Sequence, residues 1–355
     1  MPISTLKLLT SARKYIIMLM YIIIFFYFER NALIMYYIGV DLGGTNIAIG
    51  IVDSDYKMVK KGSVPTKAQR DPKLIIKDMA DLAAKLVDEA GLTFDDIEYV
   101  GIAAPGSIDP DAGVVLYSNN IPFEQFPIAD ILKSFIPVKK VYLDNDANAA
   151  ALGEVFAGAA RGKKSAIMIT LGTGVGGGII IDGKIYSGFN YAGAELGHIV
   201  IEKDGRPCTC GRKGCFEAYS SATALIKMTR EKLDECAKSG RETLMTAIVA
   251  EDGKVSGKTA FAAMKKGDAA AKEVVDMYIS YLGCGLTNMV NIFQPEVLVI
   301  GGGICNEKEY LTKPLRAILD KETYGIEQSG GRITELKIAE LGNDAGIIGA
   351  AVLGL

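Results

Sequence analysis

Two stretches of this chain repeat one pattern, and the repetition limits what it can fold into. "YYIGVDLGGTNIAIGIVD" (36–53) and "SAIMITLGTGVGGGIIID" (165–182) each run as an apolar strand, a glycine turn and a second apolar strand. Such a run predicts a tight hairpin. Aligned without gaps, 41–53 falls on 170–182, with Leu42/Leu171, Gly43/Gly172, Ile51/Ile180 and Asp53/Asp182 identical. One hairpin opens each half of a 355-residue chain, which is too long for a single ordinary core. The expectation is a duplicated α/β architecture with one glycine hairpin per lobe.

The segments between the hairpins fit that reading. "DPKLIIKDMADLAAKLVDEAG" predicts a helix, with Asp71 as N-cap, Pro72 in the first turn and Gly91 at the end. Its Ile75, Met79, Leu82 and Leu86 recur at helical spacing. "IEYVGIAAPG" and "EVLVIGGG" read as strands running into glycine turns, and "VYLDNDANAAALGEVFAG" as a strand ending near Asp144 before a helix. Further helices are expected near 217–235 and 268–290, and "NDAGIIGAAVLGL" as a closing helix that returns to the first lobe.

Composition excludes some functions. With 39 Lys+Arg against 42 Asp+Glu the net charge is −3, so there is no basic excess for nucleic acid. Six cysteines in a chain this size are not a disulfide framework and fit a reducing, cytoplasmic setting. The run 15–28 is fourteen apolar residues, shorter than the roughly 17–25 a spanning helix needs. The expectation is that 1–34 is an upstream extension and that translation starts at Met35, with a signal peptide or an N-terminal membrane anchor as alternatives. No membrane contact is expected unless 1–34 is retained.

Three constellations carry chemistry. First, backbone N–H groups of a glycine turn form an anion cradle, because no side chain blocks close approach. Gly43, Gly44, Thr45 and Asn46 make one turn, Thr170, Gly172, Thr173 and Gly174 the other, and Gly301, Gly302 and Gly303 follow a later strand. Ordinary hairpin turns also use glycine. Three runs together favour nucleotide binding, with Asp41 as a Mg²⁺ holder, directly or through water. "GTGVGG" leads into a strand rather than a helix, which argues against a dinucleotide fingerprint.

Second, Asp144, Asn145 and Asp146 stand at a strand end, which in α/β folds faces the ligand crevice. Asp146 is the expected general base, accepting a proton from an attacking hydroxyl during phosphoryl transfer. Asp144 is expected to cap the helix. Third, His198, the only histidine, precedes Cys208, Cys210 and Cys215 in an H-x9-C-x-C-x4-C spacing. Three soft thiolates and an imidazole match a structural Zn²⁺ site. Gly205, Pro207, Gly211 and Gly214 let the loop fold back. Glu195 and Glu217 flank it, and carboxylates beside an imidazole suit the hydroxyls of a sugar. Cys236, Cys284 and Cys305 lie apart and read as small core residues.

"VDLGGTNIAIGIVD", "NDANAAALGE", "TLGTGVGGGIIIDG" and above all "GAELGHI…CTCGRKGCFE" resemble the ROK family of bacterial sugar kinases and related repressors, over 36–355. The His/Cys motif is the specific part. The glycine motifs are shared more widely in the actin/hexokinase superfamily. The resemblance implies a duplicated ribonuclease-H-like fold with ATP and sugar in an interlobe cleft. A small lobe would cover 35–147 plus a C-terminal helix at about 344–355, and a large lobe 148–343 with the zinc loop at 198–215. It implies Asp146 as the base that activates the sugar's 6-hydroxyl. It also implies sugar contacts from Asn120, Asn145, Asp146, Glu195, His198 and Glu217, with His198 serving zinc and sugar together. Gly43–Thr45 and Gly172–Gly174 would meet the phosphates, and Gly301–Gly303 would border the adenosine. A dimer or tetramer is implied.

Within the family the pattern is most similar to bacterial glucokinases, so the expected activity is ATP-dependent phosphorylation of glucose. Mannose, fructose, N-acetylmannosamine and N-acetylglucosamine are alternative substrates. One departure concerns the sugar loop, where many members have Gly-Trp after the asparagine. Here Ile121, Pro122 and Phe123 follow Asn120, and the chain has no tryptophan. A sugar-responsive repressor needs a helix-turn-helix module before the first hairpin. Only about forty residues stand there, apolar rather than basic, which disfavours that reading. An actin-like ATPase without sugar chemistry is disfavoured by the His/Cys loop and its glutamates.

Overall fold

The computed structural model describes residues 34–355, together with Met18 and Met20. The expectation of an upstream extension over 1–34 otherwise lies outside the described residues. Among the described residues, no helix is long and apolar enough to cross a membrane.

The first half builds the hairpin β1 (Tyr36–Leu42) and β2 (Asn46–Asp53), then β3 (Met58–Pro65), α1 (Pro72–Glu89) and β4 (Ile97–Ala104). A small sheet follows from β5 (Ser107–Asp109), β6 (Val114–Tyr117) and β7 (Glu124–Phe126). After it come α2 (Ile128–Phe135), β8 (Val141–Asn145) and α3 (Asp146–Ala157). Helix α1 begins as its sequence predicts, with Asp71 accepting from Lys73 N and proline in the first turn. Its buried face includes Ile75, Met79, Leu82 and Leu86.

The second half repeats the plan with β9 (Ala166–Leu171), β10 (Val175–Ile181) and β11 (Lys184–Ile185). Helices α4 (Glu217–Ser220), α5 (Ala222–Ser239), α6 (Leu244–Asp252), α7 (Thr259–Lys265) and α8 (Ala269–Phe293) follow. Then come β12 (Val297–Gly301), α9 (Glu309–Glu322), β13 (Glu335–Ile338) and α10 (Ala345–Ala351). The two large sheets run β3-β2-β1-β4-β8 and β11-β10-β9-β12-β13. In each, the hairpin and its third strand are antiparallel and the last two strands add in parallel. This equivalence is the duplicated α/β fold.

The ungapped alignment needs one correction. In the first hairpin Leu42 pairs with Ile47, whereas in the second Leu171 pairs with Val175. The second turn is one residue shorter. Ile51 pairs with Ile38, and the matching partner in the second hairpin is Ile179 opposite Ile167. The identities Ile51/Ile180 and Asp53/Asp182 are therefore out of register, and a one-residue slip puts side chains on opposite faces. Leu42/Leu171 and Gly43/Gly172 stand.

Strands β1, β4, β9 and β12 are buried almost throughout, as parallel strands covered on both faces must be. Apolar residues of the first sheet, α1 and α2 form one core, and those of the second sheet with α5 to α9 form another. The closing helix α10 lies on the first sheet. A Cβ at Gly39 would stand 1.9 Å from Ile347 O, and one at Gly101 1.8 Å from Ala350 O. Only glycine lets this helix approach the backbone of β1 and β4 so closely. Helix α3 in turn packs on α10 through Gly349, whose Cβ would meet Ala149 O at 1.8 Å. The start of α3 is thereby fixed between the two sheets.

Candidate active site

Strand β8 delivers Asp144 and Asn145 to the sheet's C-terminal end, and Asp146 opens α3. The cap is Asn145, not the expected Asp144. Asn145 Oδ1 accepts from Ala147 N and Asn148 N, and its Nδ2 donates to Gly106 O at 3.1 Å. Asp144 Oδ1 instead accepts from Asn145 N at 2.7 Å and Asn148 Nδ2 at 2.9 Å. The amide is the better placed of the two, because Asn145 directly precedes the first helical residue and its Oδ1 reaches the free N–H groups of Ala147 and Asn148. Asp146, not the cap itself, accepts from Ala147 N at 2.8 Å.

Three carboxylates converge there. Burial, above all, raises the Asp146 carboxyl above its usual range, and the charge of Glu195 adds to it. Asp41, at the end of β1, is pushed up to about 6, first by burial and then by Asp146. The start of α10 presses on it, since a Cβ at Gly346 would lie 2.7 Å from Asp41 Cγ. A buried carboxylate facing a second one is stabilised by a cation.

The sign of the resulting pH effect follows. Between about pH 4 and 6 the folded protein keeps the Asp41 proton that the unfolded chain has lost, so stability falls as pH rises through this window. The contribution is on the order of 2 kcal/mol. Urea titrations of Asp41→Asn, without Mg²⁺, should lack this part of the slope. An unchanged slope would remove Asp41 as its source.

The first glycine turn is closed by Gly43 N donating to Asn46 O at 2.9 Å and held by Thr66, whose Oγ1 donates to Gly43 O at 2.6 Å. The exposed Asn120 sits against it, its Cβ 3.1 Å from where a Cβ of Gly44 would be. Ile121 and Phe123 turn inward into the core of the first sheet, and Phe123 stacks on Phe126 at 4.6 Å between ring centres. These two residues anchor the loop that presents Asn120.

The second turn is closed by Gly172 N donating to Gly174 O at 3.0 Å. Gly302 abuts the strand that enters it, since a Cβ there would lie 2.2 Å from Leu171 O. Gly301 pairs with Thr170 across β12 and β9. The third glycine run thus borders the second turn. The base of β10 also approaches α3, with a Cβ of Gly176 3.6 Å from Ala147 Cβ.

The His/Cys loop brings its four residues together. All four donor atoms lie within 4.8 Å of one another. Cys210 Sγ is 3.6 Å from Cys215 Sγ, and Cys208 Sγ is 3.7 Å from His198 Nδ1. A tetrahedral Zn²⁺ with ordinary bond lengths needs donor–donor edges of about 3.5–3.8 Å. All six thiols are free. Burial, then the Cys210 and Cys208 thiols beside it, pushes Cys215 up to about 12, so a thiolate there calls for a cation. The donors present fit zinc. Of the remaining cysteines, Cys236 and Cys305 are buried and Cys284 is half-buried.

The glutamates flanking the loop part company. Glu195 faces Asp146, whereas Glu217 Oε2 accepts from Val175 N at 2.9 Å, next to the second turn. Two residue sets escaped the sequence reading. Thr209, Ala222 and Thr223 support Glu217 and the second turn, and Tyr191 donates to Asp111 between the two halves. Their signal is three-dimensional: Thr209 is only the variable position between Cys208 and Cys210, and the others belong to no motif with fixed spacing.

Comparison with known proteins is consistent with this geometry. The profile of the ROK family matches residues 37–355. The chain is 38% identical to a glucokinase of Halalkalibacterium halodurans over 319 residues, 90% of this chain and 94% of the relative. It is 38% identical to a glucokinase of Thermotoga maritima over 315 residues, 88% and 95% of the two chains. A solved ROK family glucokinase from Streptomyces griseus, in complex with glucose and AMPPNP, superposes with a TM-score of 0.70 at 33% identity, covering 90% of this chain and 98% of that one.

Proposed function

The chain belongs to the ROK family, and from that premise we propose that it is an ATP-dependent glucokinase, transferring the γ-phosphoryl of ATP to the 6-hydroxyl of glucose. One observation carries the reading: Asp146 is a half-buried carboxylate at a helix start, beside Asp41 and Glu195 and close to the base of a glycine hairpin. Its proton affinity is raised by that burial, which suits a group that must accept a proton near neutral pH.

The sugar lies between Asn120, Asn145, Glu195 and His198, with its 6-hydroxyl at Asp146. Asn145 Oδ1 is occupied by the cap, so it serves the sugar as a donor through the second N–H of its amide. Gly43–Asn46 and Thr170–Gly174 cradle the phosphates with backbone N–H and threonine hydroxyls, and Gly301–Gly303 border the adenosine. As the hydroxyl attacks, its proton passes to Asp146, and the ADP β-phosphate leaves in line. Asp41 would hold Mg²⁺, directly or through water, and the ion would neutralise charge on the phosphate oxygens. His198, Cys208, Cys210 and Cys215 would hold a structural Zn²⁺, which would cross-link the loop that lies in sequence between Glu195 and Glu217.

The same proposal has a small lobe of 35–147 with the 344–355 helix, a large lobe of 148–343, a cytoplasmic setting that keeps six thiols reduced, and a dimer or tetramer.

The test is ADP release from Mg–ATP over a panel of sugars, using protein that begins at Met35. Turnover strongest with glucose is the expected result. Preference for an N-acetylhexosamine, mannose or fructose would move the substrate while keeping the chemistry. Sugar-dependent thermal stabilisation without turnover of any sugar would overturn the kinase and leave a sensor.

A further inference from the structure

Glu217 stands between two parts of the site that the preceding reading treats separately. Its Oε2 accepts from Val175 N at 2.9 Å, and a Cβ at Gly174 would collide with that oxygen at 2.3 Å. Only glycine at 174 lets the carboxylate lie against the second turn. Its Oε1 faces the His/Cys loop, 3.4 Å from Thr209 Oγ1 and 3.8 Å from Cys208 Sγ. One carboxylate therefore spans from a metal-ligand loop to a phosphate-binding turn.

The residues just downstream add to the same span. Ala222 N donates to Gly172 O at 2.9 Å, and Thr223 Oγ1 donates to Thr173 O at 2.7 Å. Each residue of the turn, from Gly172 to Val175, is thus tied to or in contact with the segment that follows Cys215. The Ala222 and Thr223 bonds use the turn's carbonyls, while Val175 N is taken by Glu217 and Gly172 N by Gly174 O, which leaves the N–H groups of Thr173 and Gly174 for a ligand. A preorganised anion cradle needs that fixation, because a floppy turn loses affinity in ordering itself on each binding event.

We propose that Glu217 is a positioning residue for the nucleotide: it locks the second glycine turn to the His/Cys loop, so that metal loading of the loop sets the affinity for the phosphates of ATP. This rests on the kinase reading above and goes beyond a sugar contact for Glu217. A sugar contact alone makes nucleotide affinity, measured without sugar, independent of Glu217 and of the loop's metal. The lock makes it depend on both.

The measurement is calorimetric titration of Mg–AMPPNP into full-length protein without sugar. Glu217→Ala is expected to raise Kd about tenfold, the scale of one lost charge-assisted hydrogen bond. Glu217→Gln keeps an acceptor for Val175 N and is expected to recover most of that loss. Stripping the metal from wild-type protein with a chelator should weaken AMPPNP similarly, and stripping Glu217→Ala should add little more, since the two act through one connection. Thr223→Val, on the far side of the turn, should weaken AMPPNP about threefold and leave sugar affinity unchanged. This variant and the stripped wild type decide the question if Glu217→Ala does not fold. Nucleotide affinity within twofold of wild type in Glu217→Ala, with sugar affinity lost, overturns the lock. Wild-type protein that binds no AMPPNP overturns the kinase reading itself.

Discussion

Replacing Asp146 with alanine lowers kcat about 10³-fold, roughly 4 kcal/mol of barrier, while the fold and glucose binding persist. The size follows from its role. The carboxylate accepts from Ala147 N, and that N–H is also served by Asn145. Helix α3 keeps its cap without Asp146. The carboxylate is also costly where it stands, desolvated and facing Asp41 and Glu195. Its removal relieves that repulsion, so the variant should melt higher than wild type in the absence of Mg²⁺ even as turnover collapses. Opposite movements of activity and stability mark a group held in place for chemistry. Single-turnover phosphorylation and thermal melts of the same preparation read both. Turnover near wild type would remove Asp146 as the base. Loss of turnover with a lower melting temperature would make its role structural.

The sequence revealed most about this fold where a feature needs a fixed local spacing. Each glycine hairpin is a short apolar–turn–apolar run, and both were legible, as was the Asp71–Pro72 helix start. The third strand of the first sheet was not. In β3, "MVKKGSVP", alternate positions are exposed and Lys60 and Lys61 interrupt the apolar pattern. Its membership comes from pairing with β2, which local sequence does not express. The small sheet escaped for a related reason, since strands of three or four residues carry no period. Helices α6, α7 and α9 went unread because the clearest apolar periodicity lay in their longer neighbours.

The candidate site divides in the same way. Ligand spacing made the His/Cys loop readable, because four donors must reach one point. The roles of Asp144 and Asn145 were not readable, because two adjacent polar side chains at a helix start are both competent caps and only the residue at which the helix begins chooses between them. The register of the second hairpin was obscured by its own composition. Glycine at 176, 177 and 178 removes the side chains whose alternation would have exposed the shorter turn.

Replacing Cys208 with serine removes a thiolate but little volume, so it separates the metal from the packing. Zinc content should fall from about one per chain toward zero, as a hard hydroxyl is a poor substitute in a tetrahedral thiolate site. Far-UV circular dichroism should barely change. The second core is formed by the second sheet and helices α5 to α9, and the loop 198–215 adds to it only the partly buried Ile199 and Ile201, between Leu196 and Phe216. Inside the loop, regular structure is limited to the isolated pairings Val200–Cys215 and Pro207–Lys213. Arg212 reaches His198 O, and Arg206 N donates to Oη of the buried Tyr219 at 2.6 Å; both contacts hold the loop's backbone. They do not orient the imidazole. Without the metal, the ring of His198 is free to turn, and the sugar loses a partner already aimed at it. Glucose KM should rise about 10- to 100-fold, the range seen when support of a metal-linked group is lost. The chelator-stripped wild type should match the variant, and adding Zn²⁺ back should rescue the wild type but not Cys208→Ser. Full activity in metal-free wild-type protein would refute a structural metal. Rescue of both proteins by Zn²⁺ would take Cys208 out of the ligand set, because a true fourth donor cannot be dispensed with while its geometry and affinity survive.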